Sequence, residues 1–386
     1  MHLTVVSSLD ALCRQQACDM LAAAYPEAVL MLHDLLEDGL LVRRTIRPGA
    51  PPQRGETRLE HPCPSCAIRL DIEPSVRRSK VAGVEHLILG LPPALPAAAV
   101  VRALNSGVRR SLVLNAVVLA CSPGAVEDQI WDRHTLFESG YLALPDDERT
   151  PGEFLMAELA SVDSVLLADP DVVPADPPAS ARGLQLLREL APHARITERA
   201  TDISPAHSGG PVHPGVTASE RSTDVSGPPS CAGIATDSPF TTVVHRFHRP
   251  LHPERFHHAL RSLAQGCCRL HGQLWMAPAP ECRILLRGAG PRVWLENAGP
   301  WPAYLHGHPQ DPSGLEDPVT TVRAGAEAGH PSTVISATGE GLDAAEIIRL
   351  LTDCQLTEAE MKGGFTALAD PFGLDTTHDI DSRRTS

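Results

Sequence analysis

The sequence predicts an α/β protein: a layered domain with a mostly parallel sheet, then a small α+β domain. Three observations carry this. Short apolar strands alternate with helical stretches through the first 200 residues, the pattern of repeated βαβ units. A stretch rich in Ser, Gly, Pro, Thr and Asp then breaks the pattern at 201–238, with the composition of a flexible linker. Strand and helix signals resume at Phe240, and 386 residues are enough for two domains. The expected division is 1–200 and 239–371, joined by the linker 201–238 and followed by a disordered polar tail at 372–386.

In chain order, residues 2–8 read as a short buried strand through Leu3, Val5 and Val6. Asp10 is placed to cap a helix that runs to about Ala24. Ala28 to His33 reads as a second strand, and the Pro/Gly-rich residues 47–57 as loop. His86–Gly90 is a third strand running into Pro92-Pro93. Leu112 to Ala120 is a continuous apolar strand of the kind buried on both faces, and Val165–Ala168 is another. In the second half, Phe240–Phe247 alternates as a strand, and Pro253–Ala264 reads as a helix. Strands at Gln273–Met276, Arg283–Leu286, Val293–Glu296 and Thr333–Ala337 follow, with a closing helix over Ala344–Cys354. No internal repeat is visible.

Composition narrows the function classes. The charge is 33 − 47 = −14, which excludes a generally basic nucleic-acid coat, and DNA is not an expected partner. Aromatics at 4% argue against a stacking platform for single strands. No apolar run reaches the length needed to span a bilayer. Met1 to Val6 has no basic leader or cleavage pattern, so the expected compartment is the cytoplasm and the ten cysteines are expected as thiols or metal ligands.

The sharpest local chemistry is His61-Pro62-Cys63-Pro64-Ser65-Cys66, followed by Arg69-Leu70-Asp71. C-x-x-C spacing lets two thiolates converge on one tetrahedral metal, with His61 as a candidate third ligand. Two reduced structural thiols, or a redox pair, are the competing readings of the same residues. Cys13, Cys18 and Cys121 sit in apolar context, Cys282 and Cys354 read as core, and the adjacent Cys267 and Cys268 are poorly placed to chelate together. His252, His257 and His258 read as ordinary polar side chains, and Arg255 as a partner in a surface ion pair.

The C-terminal half carries Arg249-Pro250-Leu251-His252-Pro253-Glu254-Arg255, then Cys268 to Trp275, Thr333 to Asp343, and Leu350 to Glu358. This series resembles the C-terminal domain of the CobW family of P-loop GTPases linked to metal handling. The resemblance implies a P-loop-GTPase-like first domain, in which G-x-x-x-x-G-K-S/T would cradle phosphate and hold Mg²⁺. Here the matching stretch is Ser8-Leu9-Asp10-Ala11-Leu12-Cys13-Arg14-Gln15, with both glycines gone and Arg14 and Gln15 at the Lys and Ser/Thr positions. Arg14 reads as a solvated helix residue, with phosphate contact as the sharper alternative. Leu89-Gly90-Leu91-Pro92 stands where the family has E-x-x-G, and of the guanine-reading N-K-x-D only Asp171 remains. Arg14, Gln15 and Asp171 are therefore the vestigial nucleotide-site candidates, and GTP hydrolysis with Mg²⁺ is not expected.

Cys63-Pro64-Ser65-Cys66-Ala67-Ile68-Arg69-Leu70-Asp71 and Leu87 to Pro96 resemble one branch of that family, the factors that recruit a hibernation factor to the ribosome. That resemblance implies an adaptor made under zinc limitation, acting at the small subunit. The alternative is a zinc metallochaperone that loads Zn²⁺ on Cys63 and Cys66 and passes it to a client protein. For RNA contact, Arg77-Arg78-Ser79-Lys80 and Arg109-Arg110-Ser111 are the basic clusters, each also readable as a solvated face.

Overall fold

The computed structural model describes residues 1–107, 112–170, 172, 174, 176–203, 238–305, 330–365 and 368–374. The chain divides into two compact units, Met1–Ser238 and Pro239–Ser386. Asp171, Cys231, the Arg109-Arg110-Ser111 cluster, nearly all of the expected linker and most of the expected tail lie outside the described residues.

The first unit is built on an eight-stranded sheet in the order β4-β3-β2-β5-β1-β6-β7-β8. Its strands are β1 (His2–Ser8), β2 (Val29–Leu35), β3 (Leu40–Ile46), β4 (Gln53–Arg58), β5 (His86–Gly90), β6 (Val113–Cys121), β7 (Ser164–Leu167) and β8 (Arg195–Thr197). From β2 to β8 every pairing is parallel, and β3 and β4 add an antiparallel margin. The expected α/β class with a mostly parallel sheet is what forms. The helices between strands are α1 (Ala11–Ala24), α2 (Pro64–Ala67), α3 (Glu73–Val81), α4 (Ala97–Gly107), α5 (Val126–Trp131), α6 (Pro151–Leu159) and α7 (Pro177–Leu190). Cys13, Ala17, Cys18 and Leu21 of α1 pack on Val6, Leu30, Leu32, Ile88 and Val118, which fixes the start of α1 at the carboxyl end of β1.

Two sequence expectations need correction here. Residues 47–57 are not all loop: Gln53–Arg58 is the edge strand β4, paired with a β3 that the apolar pattern did not show. β4 is polar because an edge strand can leave side chains in water, whereas β3 opens on the apolar Leu40-Leu41-Val42 and loses its apolar pattern at Arg43-Arg44. The strand at 112–120 is Val113–Cys121, and its first three residues are not buried; Val113 is 51% exposed.

The second unit is an antiparallel sheet, β12-β11-β10-β13-β9, from β9 (Phe240–Phe247), β10 (Cys267–Leu274), β11 (Cys282–Ala289), β12 (Arg292–Pro300) and β13 (Thr333–Glu340). The expected strand Gln273–Met276 is thus the end of a longer one that begins at Cys267. Helices α8 (Pro253–Ala264), α9 (Pro302–Leu305), α10 (Ala344–Asp353) and α11 (Glu358–Gly363) complete it. Phe256 and Leu263 of α8 and Ile347 and Leu351 of α10 close the core over Leu270, Leu274, Ile284, Leu286, Ile335 and Ala337. Cys267, Cys282 and Cys354 are core residues, and Arg255 pairs with Glu360 at 2.9 Å. His257 packs edge-on against Phe372.

Candidate functional site

In an open parallel sheet the carboxyl ends of the strands form the usual ligand crevice. Here that edge is filled by the chain itself. Asp10 adopts extended backbone before α1, and its carboxylate accepts from the N–H groups of Leu12 and Cys13 at 2.8 Å each. These are the free donors that a phosphate would take at a helix N-terminus, and a fixed carboxylate there repels an anion. The segment after β5 folds back over β1: Leu91 N–H donates to Val6 O and Ala94 N–H to Ser8 O, both at 2.9 Å. Leu91, Pro92, Ala94 and Leu95 are buried in this plug, with Ala94 at φ 59. Gly90 leaves room for its neighbours: a Cβ there would come within 2.6 Å of the end of the Leu32 side chain and 3.0 Å of the Cys18 sulfur.

Arg14 is not solvated, which corrects the reading of a plain helix surface. It is 2% exposed. Its guanidinium donates to His33 O at 2.6 Å, to Leu91 O at 2.9 Å and to the Asp34 carboxylate at 2.6 Å. It therefore ties α1 to β2 and to the plug. Gln15 is also engaged, donating to Asp19 and accepting from Arg44.

The cysteines of the C-x-x-C motif follow β4 in the chain. Pro64 opens α2 at the first helical position, where its missing N–H costs nothing. Cys63 is the cap: its sulfur accepts from Cys66 N–H at 3.3 Å. The Cys66 thiol is raised above its ordinary range, first by its hydrogen bond to Cys63, then by burial and by negative charge at Cys63. The Cys63 sulfur thus faces the backbone of Cys66, and both residues are half-buried free thiols. Gly39, at φ +71, holds the preceding segment: a Cβ would come within 3.0 Å of Leu59 O and 3.4 Å of Pro62. Ser65 and His61 are exposed, and the described residues bring no third metal-ligating side chain to the pair. The other described cysteines are buried; burial pushes the Cys18 and Cys121 thiols up to about 12, where they are inert.

Five residues beyond Cys66, in the wide helical turn Ile68–Ile72 that continues α2 into α3, Asp71 anchors this helix to the sheet. It is buried and accepts from Arg43 at 2.6 Å, Thr57 at 2.6 Å and Ser75 at 3.2 Å, with His33 Nε2 at 3.2 Å. Burial pushes its carboxyl up, but the bonds from His33, Thr57 and Arg43 outweigh that and hold it well below the carboxylate range. His33, itself lowered by burial, joins Asp71 to the strand that Arg14 grips. Sequence reading recognised Asp71 only as part of a motif; its three strand partners are polar residues on β2, β3 and β4, scattered over 25 positions.

A second buried carboxyl went unnoticed. Glu158 of α6 accepts from Ser7 Oγ and, at 3.1 Å, from Ala97 N–H at the start of α4. Burial raises its pKa to about 7, against the lowering effect of those two bonds. Its only sequence signal is a lone acid in the apolar run from Phe154 to Leu159.

Comparison with known proteins adds the following. Residues 240–355 match the family described as the cobalamin synthesis protein cobW C-terminal domain, so the second unit carries that domain. A protein of Mycobacterium tuberculosis (strain H37Rv) named zinc chaperone Rv0106 is 27% identical over 361 residues, 87% of this chain and 85% of that one. An uncharacterized Mycobacterium bovis protein, Mb0109, matches with the same identity and coverage. The crystal structure of the Zn(II)-bound YjiA GTPase from E. coli aligns over 92% of this chain and 99% of that one, at 14% identity and a TM-score of 0.35, too low to decide anything.

Proposed function

We propose that this chain, which carries a CobW C-terminal domain, is a zinc-handling protein of the metallochaperone type. It takes Zn²⁺ as cargo on Cys63 and Cys66 and delivers it to a client protein. The observation that carries this is the half-exposed C-x-x-C thiol pair at the start of α2, joined by the bond from Cys66 N–H to the Cys63 sulfur and held on a helix that Asp71 clamps to three strands. Soft sulfur donors suit zinc, and partial exposure lets cargo enter and leave. The 27%-identical relative named a zinc chaperone supports the same reading.

Delivery in this protein does not depend on nucleotide hydrolysis. Asp10 occupies the phosphate-binding end of α1, Arg14 is consumed by internal partners, and the Leu91–Leu95 plug closes the strand ends. Titration with GTP and Mg²⁺ is expected to give no saturable binding; a micromolar dissociation constant would contradict this part.

The adaptor reading, recruitment of a hibernation factor to the ribosomal small subunit, gains no support from the fold or from the relatives. One of its two basic clusters, at Arg109 and Arg110, lies outside the described residues. The zinc reading takes first place. Its test is competition for Zn²⁺ against a chromophoric chelator, comparing the protein with Cys63→Ser and Cys66→Ser. Loss of uptake in both variants is expected; unchanged affinity in both would overturn the assignment.

A further inference from the structure

The strand that leads into the cysteines ends the first sheet on one side. β4 pairs only with β3 among the described strands, and Gln53, Arg54, Glu56 and Arg58 are exposed along it. One bond shows which way its main chain faces. Leu59 N–H donates to Gly39 O at 2.9 Å, in register with the Leu40–Arg58 pair. Bonded and non-bonded pairs alternate in an antiparallel ladder, so Thr57, Gly55 and Gln53 spend their main-chain groups on β3. The N–H and C=O groups of Arg54, Glu56 and Arg58 point away from the sheet. Such an edge is a template for one more strand.

Its charge selects what that strand can be. Between Arg43 and Lys80 stand nine basic and four acidic side chains, a net +5 inside a chain of −14. The cations flank the edge on both faces of the sheet. Arg54 and Arg58 share one face with Arg44, which lies opposite Arg54 on β3. On the other face Thr57 and Arg43 bond to Asp71, which sets α3, with Arg77 and Arg78, on that side. Glu56 pairs with Arg54 at 2.8 Å, but both are in water, and an incoming carboxylate can replace so weak a pair.

We propose that the free edge of β4 docks an extended acidic segment of the client protein, which adds as a ninth strand. Calling the partner a client rests on the zinc reading above; the edge and its charge do not. Main-chain bonds to Arg54, Glu56 and Arg58 supply the register, and acidic side chains on the added strand meet the arginines. A nucleic acid would match the charge but has no main-chain donors and acceptors spaced for a ladder. A second copy of β4 brings the same arginines and is repelled. At most about 17 Å of chain separates Arg58 from Cys63, so docking here brings the client close to the cargo.

The test uses the reduced, metal-free full-length chain and a fluorescein-labelled peptide of roughly six residues that alternates glutamate with valine. Anisotropy is expected to show saturable binding that weakens as salt rises, and none for the counterpart with lysine in place of glutamate. Amide exchange at Arg54, Glu56 and Arg58 should slow at least about tenfold on saturation, since their N–H groups gain partners. Glu56→Pro removes one outward donor and leaves the ladder to β3 whole; it should weaken binding at least about tenfold while zinc uptake stays. Arg54→Glu combined with Arg58→Glu should do the same. Binding with no change in exchange at those three residues would overturn strand addition, as would binding of polyuridylate as tight as that of the peptide. No saturable binding by a chain that still takes up zinc would refute the docking edge and leave the zinc reading standing. Peptide binding by a chain that takes up no zinc would uphold the edge and remove the zinc reading alone.

Discussion

Arg14 shows how far one side chain can depart from its sequence-level expectation. A charged helix residue is rarely buried unless paired, yet this one is enclosed and spends its donors on two carbonyls and Asp34. Removing one partner of a buried charge pair costs about 3–5 kcal/mol. Arg14→Ala is therefore expected to destabilise the first unit by that amount in urea unfolding, whereas a solvated arginine would cost almost nothing. Glu158 gives a prediction of a different kind. Its folded pKa lies above the ordinary carboxyl value, so the folded state keeps a proton that the unfolded chain has released. Stability from this group is full below about pH 4.5 and is lost as pH rises to about 7. Glu158→Gln should flatten stability across that window and raise it at pH 8 by up to roughly 3 kcal/mol. A variant that keeps the wild-type slope would show that the carboxyl is ionised at neutral pH.

At the scale of elements, the helix that carries the cysteines is positioned by Asp71, whose sign is opposite to that of Glu158. A depressed carboxyl pKa contributes stability above the ordinary carboxyl range, and loses it as pH falls below about 4. Asp71→Asn is expected to lower stability at pH 7 by about 2–4 kcal/mol, with the gap to wild type closing in acid. If the clamp also orients the thiols, zinc affinity should fall by about 10–100-fold, as it does when orienting partners of metal ligands are lost. Unchanged affinity in a folded Asp71→Asn would confine the aspartate to stability. Much of this architecture was legible in advance. Asp10 as a cap, β1, β5 and α8 follow from local apolar runs and turn chemistry that need no tertiary context. The edge strand β4 was not legible, because Gln53–Arg58 carry no apolar residue and become a strand only by pairing, and in β3 the apolar run Leu40-Leu41-Val42 is cut short by Arg43-Arg44. The thiol pair was visible because its spacing is fixed by the chain. The Asp71 cluster was hidden because it assembles residues from three strands and a helix.

The molecule as a whole is two units, a parallel-sheet body bearing the thiol pair and a CobW C-terminal domain. No helix among the described residues is long and apolar enough to cross a membrane. The first unit is a mostly parallel layered sheet whose strand ends are occupied by Asp10, Arg14 and the Leu91–Leu95 segment. The half-buried thiols of Cys63 and Cys66 at the start of α2 are where the zinc reading proposed above places its cargo. X-ray absorption at the zinc edge of the loaded, reduced protein measures this directly. The account predicts a sulfur shell at about 2.3 Å that is lost in the Cys63→Ser, Cys66→Ser double variant. A shell of nitrogen and oxygen alone at about 2.0–2.1 Å, indifferent to those substitutions, would contradict it.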